Sequence, residues 1–264
     1  MVFVDQALAA RLEAGEAQAN VDYVHTMQRV KSPSYAQVLA VAGGYATFVN
    51  VDPPVLNRAI GLGMSRAVTD TDIEHVEAFL TGFNVPVQID VCPLADMSLA
   101  DQLGKRGYRI IRFFNKHIRE LTRGETFPEP PPGITVEQVT PDDYDLWARV
   151  ADGGKDSGRE LTLARLCCER PGARCFLARV CGEPAGNGAL SIHDGLAALF
   201  YAATLPEFRQ RGVQTALLHA RLSAAVEAGC DLATVAPIPG TQSERNVQRR
   251  GFRVAYTRII MERL

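Results

Sequence analysis

Arg209-Gln210-Arg211-Gly212-Val213-Gln214-Thr215-Ala216 joins an apolar strand-like run to a helix-like run. The residues before it, Ala197-Ala198-Leu199-Phe200-Tyr201-Ala202-Ala203-Thr204-Leu205, have the length and composition of a strand, and Pro206 closes it. After the turn, Val213, Ala216, Leu217, Ala220 and Ala224 recur at helical spacing, with Gly229 as a C-terminal stop. A doubly basic, glycine-containing turn that feeds a helix N-terminus suits an anion. The first N–H groups of a helix lack intrahelical acceptors, and the helix dipole adds positive potential. Gly212 removes the Cβ that would block close approach. A pyrophosphate fits such a turn.

The 264 residues allow one large domain or two of ordinary size. Apolar residues make up 47%, enough for substantial cores, while 22% charged residues argue against disorder. A net charge of -2 without a dense basic cluster disfavours nucleic acid as a partner. The start, Met1-Val2-Phe3-Val4-Asp5, has no basic region followed by an apolar core, and no apolar run reaches membrane-spanning length. The expected location is cytoplasmic, with no membrane partner. The six cysteines, at 92, 167, 168, 175, 181 and 230, form no Cys-x-x-Cys pair, and the five histidines are scattered. No metal site and no disulfide framework is expected. Cys167-Cys168, in a helix-like stretch, reads as core packing rather than a nucleophile.

The turn resembles the acyl-CoA loop of the GCN5-related N-acetyltransferases, the GNAT family. That loop reads roughly Arg/Gln-x-x-Gly-x-Gly/Ala after a strand that ends near a proline, as in Pro206-Glu207-Phe208-Arg209-Gln210-Arg211-Gly212-Val213. Gln214 stands where a second small residue is usual. The resemblance implies an α/β fold with a mixed, mainly antiparallel sheet flanked by helices. It also implies acetyl-CoA as co-substrate and an amine as acceptor, attacked directly at the thioester. It fixes neither the acceptor nor an oligomeric state.

Phe127-Pro128-Glu129-Pro130-Pro131-Pro132-Gly133 reads as a stiff linker. Ile134–Val139 then reads as a strand, and Thr140-Pro141-Asp142-Asp143 as a helix start with Thr140 as cap. Sliding the chain on itself by 144 positions gives an echo. Val91-Cys92-Pro93 falls on Val235-Ala236-Pro237, and Arg106-Gly107-Tyr108-Arg109-Ile110 falls on Arg250-Gly251-Phe252-Arg253-Val254. Two tandem GNAT-like domains are therefore expected: 1–126, the linker 127–133, and 134–264. Opposite Arg209–Ala216 stands Ser65-Arg66-Ala67-Val68-Thr69-Asp70-Thr71-Asp72, without the glycine and with two carboxylates at the following helix start. Carboxylates repel phosphate, so the first domain is expected to keep the fold without the acyl-CoA loop.

Carried over residue by residue, the resemblance assigns cofactor binding to Arg209, Gln210, Arg211, Gly212, Val213, Gln214 and Thr215. It lays the pantetheine arm along Ala203, Thr204 and Leu205, beside Ala233-Thr234-Val235-Ala236. Asn246 matches the Asn of the family's late helix, with Ser243 on the same face. Many members place a proton-donating tyrosine four residues before the Gly-Phe turn, where this chain has Val247. Tyr201 and Tyr256 are the substitute donors, and Glu207 and His193 the candidate bases. The alternative to an enzyme is a non-catalytic acyl-CoA-binding or scaffold protein on the same tandem fold.

Overall fold

The computed structural model describes residues 3–154 and 162–263. In chain order it forms α1 (Gln6–Val30), β1 (Ala36–Val41), β2 (Gly44–Val49), β3 (Arg58–Ile60), α2 (Asp70–Gly82), β4 (Gln88–Val91), α3 (Met97–Lys105) and β5 (Tyr108–Glu120). There follow β6 (Ile134–Gln138), α4 (Tyr144–Ala151), α5 (Leu163–Cys168), β7 (Ala173–Val180), β8 (Glu183–His193) and β9 (Leu196–Thr204). The last elements are α6 (Val213–Glu227), β10 (Leu232–Val235), α7 (Gln242–Gln248) and β11 (Arg253–Arg263).

The chain packs as two units, Met1–Arg119 with Thr234–Leu264, and Glu120–Ala233. The packed units thus differ from the division expected at 127–133, because β11 finds its hydrogen-bonding partners in β4 and β5. The internal echo has a direct structural form. Each copy runs strand, proline-containing loop, short helix, glycine turn and strand, with Gly107 and Gly251 both at positive φ.

In the first unit the strands run β1-β2-β3-β4-β11-β5. Only β3 and β4 pair in parallel among the pairings described there, so the sheet is mixed and mainly antiparallel. Ile73, Val76 and Leu80 of α2 and Leu99 and Leu103 of α3 cover one side, against Ala46, Ala59, Ile89 and Val91. These residues recur at helical spacing on the helices and sit on facing strands, so their burial drives the packing. In the second unit β6, β7, β8 and β9 form an antiparallel series. Thr140 does not cap backbone as expected; its hydroxyl meets Asp143 Oδ2 at 3.3 Å, and Pro141–Asp143 form a 3-10 turn before α4. No helix among the described residues is long and apolar enough to cross a membrane.

Beneath α1 lies a buried set of charges. Glu13 accepts from Arg258 Nη1 at 3.3 Å, and Glu16 accepts from Arg258 Nη2 and Lys116 Nζ, each at 2.6 Å. Asp90 approaches Arg258 Nε at 3.3 Å and Arg58 Nε at 3.7 Å. Burial alone would raise the Glu16 carboxyl, but Arg258, Lys116 and Arg58 outweigh it and hold it well below the usual range. Burial raises Asp90, with Arg58 and Arg258 opposing.

The two echoing helix starts differ in charge. At α2, Thr69 Oγ1 accepts from the Asp72 N–H at 3.2 Å, and Asp72 Oδ2 accepts from the Thr69 N–H at 2.8 Å. Arg66 holds both Asp72 oxygens at 2.8 Å. The Arg66 bonds, with those from Thr69, overcome the effect of burial and pull the Asp72 carboxyl down.

Two outcomes follow in thermal unfolding. Arg258→Met leaves three carboxylates short of their shared cation and lowers stability by about 3–5 kcal/mol; an unchanged Tm contradicts this. Asp72→Ala removes a cap and lowers stability by roughly 1–2 kcal/mol at pH 7. Because the folded-state value of Asp72 is depressed, its contribution is complete above the unfolded value of 3.8 and disappears as pH falls through and below it. The gap between wild type and Asp72→Ala therefore closes in acid.

Candidate functional site

β9 ends at Thr204, and a 3-10 turn over Pro206–Phe208 carries the chain towards α6. Phe208 is buried and anchors the turn, leaving Glu207, Arg209, Gln210 and Arg211 exposed. Gly212, the residue before α6, has φ +91°, and a Cβ there would stand 3.1 Å from Pro131 Cγ. Backbone conformation and close packing both ask for glycine. Gly212 at the N-cap position has no side chain with which to cap α6, and the first turn of the helix holds no acidic residue. The anion-attracting end of this helix therefore carries the charge pattern opposite to that of α2.

Its surroundings are basic and rigid. Arg209 Nε donates to Thr204 O at 3.4 Å, and the Arg211 guanidinium lies 5.6 Å from the Phe208 ring centre. Gly186 of β8 lets α6 come close, since a Cβ there would meet Val213 Cγ1 at 2.9 Å. The stretch read as a stiff linker lies along α6. His219 Nδ1 is 3.3 Å from Pro128 O, and the Phe127 and His219 rings are 5.8 Å apart.

The strand leading into the turn is broken. Asn187 pairs with Ala203 and Ala189 with Phe200, so Gly188 alone faces Tyr201 and Ala202. Tyr201 takes φ +49° to accommodate the extra residue. Its ring packs edge-on to Trp147 of α4 at 5.5 Å. Burial is the main cause pushing the Tyr201 hydroxyl far above its usual range, so it stays protonated in neutral water. In that state the hydroxyl is a hydrogen-bond donor and not a base. Ala202 is exposed, and Ala203, Thr204 and Leu205 are half-buried. Opposite Ala203, the fully buried Asn187 amide has no hydrogen-bond partner among the described residues for either its oxygen or its nitrogen.

The second unit thus brings together Tyr201, Ala203, Thr204, Leu205, Glu207 and the loop from Arg209 to Thr215. His193 lies at the far end of the β8–β9 hairpin, where it pairs with Leu196, and is separated from Gly188 by four residues of strand. Three other expected residues belong to the first unit. Tyr256, read from sequence as a substitute proton donor, is buried, and its hydroxyl donates to Glu13 Oε1 at 2.6 Å. Burial, then Glu13, push that hydroxyl far upwards. On α7, Thr241 rather than Ser243 is the cap, Ser243 is exposed, and Asn246 Oδ1 accepts from Gln242 Nε2 at 2.7 Å. Val247, where a tyrosine is frequent, is buried.

Cys167 and Cys168 are buried, with Cys167 Sγ 3.8 Å from Cys175 Sγ, as packing requires. In the first unit, a depression of about 350 Å³ beside the α2 start is lined by Ala40–Tyr45, Arg66, Asp72 and His75. Its arginine and aspartate are paired to each other. Sequence reading missed Asn187, Gly188 and Arg221. The available signal was Arg221, the one Lys or Arg in α6, set between Ala220 and Leu222.

Residues 140–252 match the model of the acetyltransferase (GNAT) family. No curated protein matches the sequence. Among solved structures, the chain is similar to a GCN5-related N-acetyltransferase from Kribbella flavida, at 19% identity and a TM-score of 0.71. That match covers 97% of this chain and 95% of the other. A tandem GNAT protein from the clavulanic acid biosynthesis pathway is 16% identical with a TM-score of 0.63, over 97% and 93%. A GCN5-related N-acetyltransferase from Sphaerobacter thermophilus is 17% identical with a TM-score of 0.57, over 98% and 93%. At these identities the structures speak for the fold. Residues 140–252 thus form a GNAT acetyltransferase domain, and the chain shares its fold with GCN5-related N-acetyltransferases of known structure.

Proposed function

We propose that this chain transfers an acyl group, most simply acetyl, from acyl-CoA to a primary amine, using one cofactor site in the second unit. The observation that carries the reading is the uncapped, basic start of α6 behind Gly212, directly after a strand broken at Tyr201. Backbone N–H groups at the α6 start and the Arg209 and Arg211 side chains would hold the pyrophosphate. Ala203, Thr204 and Leu205 leave room for the pantetheine arm, whose amides pair with strand backbone.

In the chemical step the amine nitrogen attacks the thioester carbonyl carbon, and the carbonyl oxygen takes up negative charge. The intermediate collapses with cleavage of the C–S bond, giving an amide and a thiolate. Tyr201, protonated at neutral pH and packed edge-on to Trp147, would serve the leaving thiolate as hydrogen-bond and proton donor. The proton lost from nitrogen passes to Glu207 or to water. Nothing in this route asks for a metal. Val247 favours a second reading, in which the chain binds acyl-CoA without turnover, because a buried hydrocarbon stands where many relatives of this fold carry the acid.

Release of free CoA from acetyl-CoA, followed with a thiol reagent across a panel of amines, separates the readings. An enzyme shows amine-dependent release, reduced at least roughly tenfold in Tyr201→Phe. A binding protein returns the thioester intact with every amine. Gly212→Asp places a carboxylate at the helix start and weakens acetyl-CoA binding on the order of 100-fold while the protein still unfolds cooperatively. Wild-type affinity in that folded variant contradicts the site.

A further inference from the structure

The break between β8 and β9 is occupied from behind by one side chain. Arg221, on the third turn of α6, is 3% exposed and reaches across the sheet face. Its Nε donates to Leu217 O at 3.0 Å, and its Nη1 donates to Phe200 O at 3.3 Å and Ala189 O at 3.4 Å. These two carbonyls belong to the Ala189–Phe200 pair, which borders the register shift on one side. Gly188 makes the approach possible, since a Cβ there would stand 2.9 Å from Arg221 Nε and 3.0 Å from Cζ. No carboxylate among the described residues pairs with this guanidinium, and burial lowers its pKa to about 10, leaving it charged at neutral pH. A buried cation compensated only by carbonyl dipoles is costly for folding. Its placement calls for a reason beyond stability.

Peptide planarity supplies one. The Phe200 carbonyl and the Tyr201 N–H share a peptide plane and point in opposite directions. Fixing the carbonyl on Arg221 therefore fixes the direction of the Tyr201 N–H, away from α6. A cation on the carbonyl also polarises the peptide and strengthens that N–H as a donor. We infer that Arg221, admitted by Gly188, is a positioning residue that aims and polarises the Tyr201 peptide towards the thioester oxygen. The inference rests on the acyl-CoA reading above. Arg221 itself touches neither substrate, and its effect reaches the reacting carbonyl through one peptide group, where negative charge develops.

The experiment compares affinities of the full chain for acetyl-CoA and for CoA, which differ only at the acyl group. CoA reports the loop, and the ratio of the two reports the peptide at the break. In Arg221→Met the acetyl-CoA preference falls roughly tenfold while CoA affinity stays within about twofold. Arg221→Lys, which keeps the charge, recovers part of the preference. Gly188→Ala displaces the guanidinium from the other side and reproduces the Met result, which keeps the test available if Arg221→Met does not fold. A wild-type ratio in Gly188→Ala and Arg221→Met overturns the inference, as does an equal loss of both ligands. If the wild-type protein binds neither ligand, the acyl-CoA reading fails first and the inference falls with it.

Discussion

Burying Arg258 is possible only because three carboxylates converge on it. Glu13 and Glu16 come from the first helix and Asp90 from a central strand, while Arg258 comes from the last strand of the chain. Removing one partner leaves the rest without compensation in a low-dielectric interior, so these charges succeed or fail together. Their consequence is topological. The strand that ends the second sequence copy is fixed inside the unit that begins with the first, between β4 and β5. The first half of the chain thus supplies the framework for the end of the chain.

The second unit uses charge differently. Its helix α6 begins without a cap, behind a glycine that both backbone conformation and packing require. The corresponding helix of the first unit begins with a complete capping box and an arginine-bound aspartate. One helix start is satisfied by its own side chains; the other presents positive potential outwards. The two echoing halves thus differ at the helix start, with aspartates at α2 and none in the first turn of α6. Binding and polarisation in the second unit are assigned mainly to backbone groups, so the side chains that matter most are those that orient backbone.

That division explains what could be read from sequence. The β9 run, the Gly212 turn, the amphipathic start of α6 and the echo of Arg106–Ile110 in Arg250–Val254 are local patterns, and local geometry follows from them. The aspartates opposite the loop were legible for the same reason. Long-range facts were not. Tyr256 looked available because nothing near it in sequence reveals Glu13, whose carboxylate accepts its hydroxyl proton. The proline-rich stretch could be read only as a stiff linker, because Pro131 beside Gly212 is a tertiary contact. A positive φ at Tyr201 has no sequence signature, since a bulky aromatic residue ordinarily avoids it. Only the pairing of β8 with β9, and an arginine reaching in from α6, make it intelligible.

Acetyl-CoA titrated calorimetrically into the intact wild-type protein measures the central claim directly, through its stoichiometry. One site per chain is the result predicted by an uncapped α6 and a carboxylate-filled α2. Two sites per chain would contradict it, because the start of α2 would then hold an anion beside Asp72; no site at all would contradict the assignment of the α6 turn.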